Sequence, residues 1–214
     1  TSIFLVAILY GCGSSVSPVD QGLIDQVMHI GNGSEPQGLD PHIVTGVPEH
    51  HLLITMCEGL TISNPEGGAN LPGMAESWEI SEDGKTYIFN IRKDAKWSNG
   101  DDFLAEDMVW SWMRVLTPSL GSQYPDMLYY VVGAEEFNTG VITDFSKVGV
   151  KAIDAKTLEV KLKNPTPFFL GLLSHYSTWP VHKETVLEFG EIDDRQGLWT
   201  CLLYTSPSPR DRYG

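Results

Sequence analysis

A chain of 214 residues with 42% apolar and 20% charged side chains can bury a sizeable core and is globular, not disordered. Its 28 acidic against 14 basic residues leave a formal charge of −14, a surface that repels a phosphate backbone and excludes nucleic acid as a natural partner. The three cysteines, Cys12, Cys57 and Cys201, form neither a spaced disulfide framework nor a metal-ligand cluster; Cys57, in an apolar stretch, reads as a buried, unpaired thiol.

The chain begins with an apolar run, Ile3-Phe4-Leu5-Val6-Ala7-Ile8-Leu9, too short to span a bilayer. It reads as the end of an export signal whose basic leader is missing. Leu9-Tyr10-Gly11-Cys12 resembles a bacterial lipoprotein processing box, which implies a lipid on Cys12 and attachment to a membrane in the periplasm or at the cell surface. A cleavable signal with an incidental cysteine is the alternative. Gly13-Ser14-Ser15-Val16-Ser17-Pro18 has the composition of a flexible tether.

Val27-Met28-His29-Ile30 is a short strand candidate that stops at Gly31-Asn32-Gly33. Residues 36–41 read as a loop. The spacing of Leu52, Leu53, Met56 and Cys57 predicts a helix over 48–58, with Pro48 early in it and Gly59 as its stop. Residues 64–68 form a turn. Trp78-Glu79-Ile80, the turn Glu82-Asp83-Gly84-Lys85 and the alternating Thr86-Tyr87-Ile88-Phe89-Asn90-Ile91 predict a hairpin, and Asn99-Gly100 a further tight turn. Ala105, Met108, Val109, Trp112, Met113 and Leu116 make a helical stripe that ends before Pro118. Strands follow at 148–153 and 157–162, then a break at Asn164-Pro165-Thr166-Pro167 and a short apolar helix over 168–173. Strand pairs alternating with isolated helices indicate a mixed α/β class.

Trp78 and Trp97 flank strands and read as core packing; Trp110 and Trp112, two apart, face different sides of their helix. Asp40-Pro41-His42 reads as a loop brace, the carboxylate bonding to its own downstream amides. His50 and His51 cannot face one metal from adjacent helix positions and read as exposed, and the six histidines show no metal spacing. Ser174-His175 is no nucleophile elbow and Gly31-Asn32-Gly33 no phosphate loop, so catalysis, cofactors and metals are not expected.

Five ordered motifs carry a resemblance. They are Asn32-Gly33-Ser34-Glu35-Pro36-Gln37-Gly38-Leu39-Asp40-Pro41-His42, Glu58-Gly59-Leu60, Pro72-Gly73-Met74-Ala75-Glu76-Ser77-Trp78, Arg92-Lys93-Asp94-Ala95-Lys96-Trp97-Ser98-Asn99-Gly100, and Gly149-Val150-Lys151-Ala152-Ile153-Asp154 with Thr157-Leu158-Glu159-Val160. Over about residues 27–189 the chain resembles the oligopeptide-binding proteins of peptide ABC transporters, within the peptide/nickel solute-binding family. The resemblance implies a bilobed, periplasmic-binding-protein-like clamshell of which the N-terminal lobe is present, a monomer that hands short peptides to permease subunits. Binders of dipeptides, nickel or haem share the fold, and a clamshell of this kind can also report its ligand to a membrane receptor.

The organisation so implied is a truncated signal at 1–11, an anchor cysteine and tether at 12–26, a first subdomain at 27–58 re-entered at 183–200, and a second mixed α/β subdomain at 59–182. Residues 201–214 turn abruptly Ser/Pro/Arg-rich, resemble a translated sequencing adapter and are set apart from the fold. By resemblance, Thr45-Gly46-Val47 lies along an extended ligand and offers main-chain contacts, and Tyr124 lines the cleft. That logic suits a receptor for many sequences, which must read the peptide backbone and leave roomy, water-filled side-chain pockets. Leu104 stands where the family often has Thr; without a hydroxyl the helix start loses about 1 kcal/mol of capping unless Asp102 substitutes.

Overall fold

The computed structural model describes residues 16–28 and 30–193, so Cys12 and residues 201–214 lie outside it. The described chain divides into two compact units, one ending at Ser34 and one starting at Glu35. In the first, α1 (Pro18–Asp25) falls in the stretch read as tether. Ser17 caps it, its hydroxyl accepting from the Asp20 amide at 3.1 Å, and Pro18 supplies a helical φ at the start. The strand expected from Val27 is absent: Val27, Met28 and Ile30 are irregular and exposed, and His29 lies outside the described residues. A strand needs a partner for its backbone groups, and the apolar run supplies none by itself.

The second unit opens with a turn over residues 40–44 and continues into α2 (Val47–Met56). A two-stranded ribbon follows, β1 (Thr61–Ile62) with β2 (Leu71–Pro72). Next come β3 (Ala75–Ile80), β4 (Thr86–Ile91), α3 (Ala105–Leu116), α4 (Ala134–Asn138), β5 (Val150–Ala152) and β6 (Thr157–Lys161). The main sheet is antiparallel throughout, in the order β3-β4-β6-β5. α5 (Phe169–Leu172) and α6 (Lys183–Phe189) are the last of the described helices.

The period-2 pattern of β4 works as its sequence suggests. Tyr87, Phe89 and Ile91 are buried, and Tyr87 and Phe89 stand opposite Val160 and Leu158 of β6. Against this layer α3 lays Ala105, Met108, Trp112 and Val115, all buried. Trp110 points the other way, into a smaller cluster with Val181 and Val186, as the two-residue offset requires. Trp97 packs on Phe103 with ring centroids 5.4 Å apart, and its Nε1 donates to Asp107 at 3.2 Å; Trp78 is half-buried against Phe89.

Several local expectations change. α2 stops at Met56, not at Gly59. Gly59 is needed for close approach: a β-carbon there would run into the Trp179 indole and the Leu173 carbonyl. Cys57 is buried, as expected, but disulfide-bonded and not a free thiol. Spacing alone does not reveal which cysteines meet. At α3 the cap is half a box. The Leu104 amide donates to Asp107 Oδ2 at 2.8 Å, whereas no side chain caps in return, and Asp102 is engaged instead by Lys96.

Candidate functional site

A short ledge, residues 45–47, joins the 40–44 turn to α2. Thr45 is exposed and Val47 is 65% exposed, so the segment faces outward. The backbone amide and carbonyl of Thr45 take no hydrogen bond among the described residues. The Val47 amide, first in α2, is one of those a helix leaves without an intrahelical partner. The Gly46 carbonyl is already used by the His50 amide at 3.0 Å. Two main-chain donors and an acceptor thus remain without partners among the described residues, groups of the kind an extended strand pairs with.

The ledge is gripped from behind at three points. Upstream, Asp40 accepts from the His42 amide at 3.0 Å, the turn brace its sequence suggests, and its two carboxylate oxygens are held by Arg114 at 3.1 and 2.8 Å. At Val44 the carbonyl accepts from the Tyr176 hydroxyl at 3.1 Å. Downstream, the Glu49 carboxylate accepts from the Gln37 amide at 2.7 Å and lies against Gly46, where a β-carbon would collide with it. Glu49 is only 3% exposed, and its second oxygen has no hydrogen-bond partner among the described residues.

Tyr124 stands half-buried at the start of a short 3-10 turn, its ring edge-on to His175 at 5.2 Å and to Tyr176 at 6.3 Å. Tyr176 thus connects Tyr124 to the ledge, touching one by its ring and holding Val44 by its hydroxyl. Burial, with the neighbouring Tyr124 and Glu49, pushes the Tyr176 hydroxyl up to about 12. His175 is lowered, first by burial and then by the nearby His50. His50 is half-buried against Tyr176 at 5.6 Å, not exposed as its sequence position suggests; His51 is exposed. The Tyr176 hydroxyl therefore stays neutral below about pH 12, and the cluster presents ring faces suited to stacking.

The sequence reading placed Thr45, Gly46, Val47 and Tyr124 in one site and missed Tyr176, His175 and Glu49. A signal for Glu49 exists, since an acidic residue three positions after a helix cap often turns back toward it. A groove of about 870 Å³ runs elsewhere, between α3 and β5, lined by Val109, Trp110, Met113 and Lys151 among others. None of the ledge residues lines it. Among the described residues no group of three or more His, Cys, Asp or Glu could hold a metal ion, and no helix is long and apolar enough to cross a membrane.

Residues 71–200 match the family model of bacterial extracellular solute-binding proteins, family 5 (middle). The chain belongs to this family of solute-binding proteins. It is 43% identical over 194 residues to the periplasmic oligopeptide-binding protein OppA of Escherichia coli strain K12, covering 87% of this chain and 35% of that protein. The oligopeptide-binding protein OppA of Bacillus subtilis strain 168 is 41% identical over 157 residues, 73% of this chain and 28% of that one. Among solved structures, Haemophilus influenzae OppA in complex with RPPGFSPFR superposes with a TM-score of 0.70 at 40% identity, covering 75% of this chain and 31% of that chain. The chain spans about a third of the length of the relatives it matches.

Proposed function

We propose that this chain forms one lobe of an extracytoplasmic receptor that captures oligopeptides and delivers them to the permease of an ABC transporter. The observation that carries the reading is the ledge. Thr45 and Val47 offer main-chain groups that are unpaired among the described residues, beside a tyrosine-lined wall, and main-chain reading tolerates any ligand sequence. Thr45, Gly46 and Val47 contact the peptide backbone and Tyr124 packs on its side chains. Residues 27–58 with 183–200, and residues 59–182, are the two subdomains of the lobe. The receptor acts as a monomer, without a cofactor or catalysis, and is attached to the membrane through a lipid on Cys12.

Titrating the full-length protein with a mixed library of di- to pentapeptides tests the main reading. Retention of many sequences with little preference is expected; tight nickel or haem binding with no peptide retained would overturn it. For the anchor, mass measurement after membrane extraction should find diacylglycerol on Cys12, and an unmodified Cys12 would refute it.

A further inference from the structure

Asp40, His42 and Arg114 form a polar unit inside the core; Arg114 is fully buried, His42 1% and Asp40 4% exposed. The planar guanidinium grips both Asp40 oxygens, and its Nη1 also reaches His42 Nδ1 at 3.0 Å. The other ring nitrogen of His42 lies 2.9 Å from the Trp179 carbonyl. A carbonyl only accepts, so Nε2 carries the proton and Nδ1 is left to accept from Arg114. The unit therefore ties three distant segments together: the 40–42 turn, α3 and residue 179. Two residues beyond His42 the chain is held again, at Val44 by Tyr176, and the ledge begins at the next residue.

A buried ion pair contributes little net stability, because desolvation offsets its attraction, but it can select one arrangement of the chain. Here the arrangement selected is the path of residues 40–44. We propose that Arg114 is a positioning residue of the ledge: through Asp40 and His42 it sets the path along which Thr45-Gly46-Val47 meets a ligand. This inference rests on the reading of the ledge as the peptide-contacting segment. Lysine cannot replace Arg114, since one ammonium lacks the planar fork that reaches both carboxylate oxygens and a ring nitrogen.

The test compares wild-type full-length protein with Arg114→Lys and His42→Ala by hydrogen exchange at the Ile43 and Val44 amides, which donate to the Asp40 carbonyl at 3.1 Å, and by titration with a mixed short-peptide library. Both variants should fold, exchange faster at residues 43 and 44, and bind peptides more weakly, about tenfold for Arg114→Lys and about threefold for His42→Ala. A purely structural role would lower the melting temperature and leave exchange at residues 43 and 44 and peptide affinity in the folded state unchanged; that result would overturn the proposal. Faster exchange with unchanged affinity would keep Arg114 as the positioning residue and overturn the reading of the ledge as a peptide contact. If Arg114→Lys does not fold, His42→Ala decides by the same two measurements, because it leaves the Asp40–Arg114 pair in place.

Discussion

His42 and Trp179, 137 residues apart, are joined by a 2.9 Å hydrogen bond from the imidazole Nε2 to the main-chain carbonyl. Burial, and then the Arg114 guanidinium, hold the imidazole at a pKa of about 4, below its ordinary 6.5. The unfolded chain therefore binds a proton that the folded chain refuses between those values. The stability contribution is fully present above pH 6.5 and is lost as pH falls toward 4. Between pH 7 and 5 the loss amounts to about 2 kcal/mol. Urea midpoints across that range should show this slope, and His42→Gln should flatten it.

The local elements were legible in the sequence, and the long-range ties were not. The alternation Tyr87-Phe89-Ile91 and the stripe from Ala105 to Leu116 are periodic, so β4 and α3 follow from neighbours alone. Asp40 could be read as a turn brace because its amide bond to His42 is local. Its pairing with Arg114 spans 74 residues, and no spacing rule reports it. The same holds for Trp179 lying over Gly59, which made a packing glycine look like a helix stop. Thr45, Gly46, Val47 and Tyr124 came from family resemblance, whereas Tyr176, which links them, is visible only once the chain is folded.

The missing half of the α3 cap gives a stabilising substitution. Asp107 already accepts from the Leu104 amide, and only a side-chain acceptor at position 104 is lacking. Leu104→Thr should add about 1 kcal/mol of stability, read as a higher urea midpoint with an unchanged slope. Peptide affinity should not change.

Tyr176 holds the Val44 carbonyl with its hydroxyl and Tyr124 with its ring. Tyr176→Phe keeps the ring and deletes the bond. It should cost about 1–3 kcal/mol, the upper end applying if the buried carbonyl finds no water. Chemical denaturation measures the cost.

Gly46 has an ordinary extended backbone, φ −85°, so alanine is not excluded by torsion. It is excluded by the Glu49 carboxylate, which a β-carbon would displace from its bond to the Gln37 amide. Gly46→Ala should cost about 1–3 kcal/mol. In the double variant with Glu49→Ala the two costs should sum to more than the total observed, since the collision is gone. A double-mutant cycle by urea denaturation reads that coupling.

The central claim is that the ledge and its tyrosine wall receive the ligand. A short peptide carrying a photo-reactive benzophenone, bound to the full-length protein and irradiated, tests it most directly. Mass mapping of the adducts should place them within residues 45–47 and at Tyr124, with unlabelled peptides competing them away. Competed adducts that map elsewhere, with the ledge and Tyr124 unlabelled, would contradict the account.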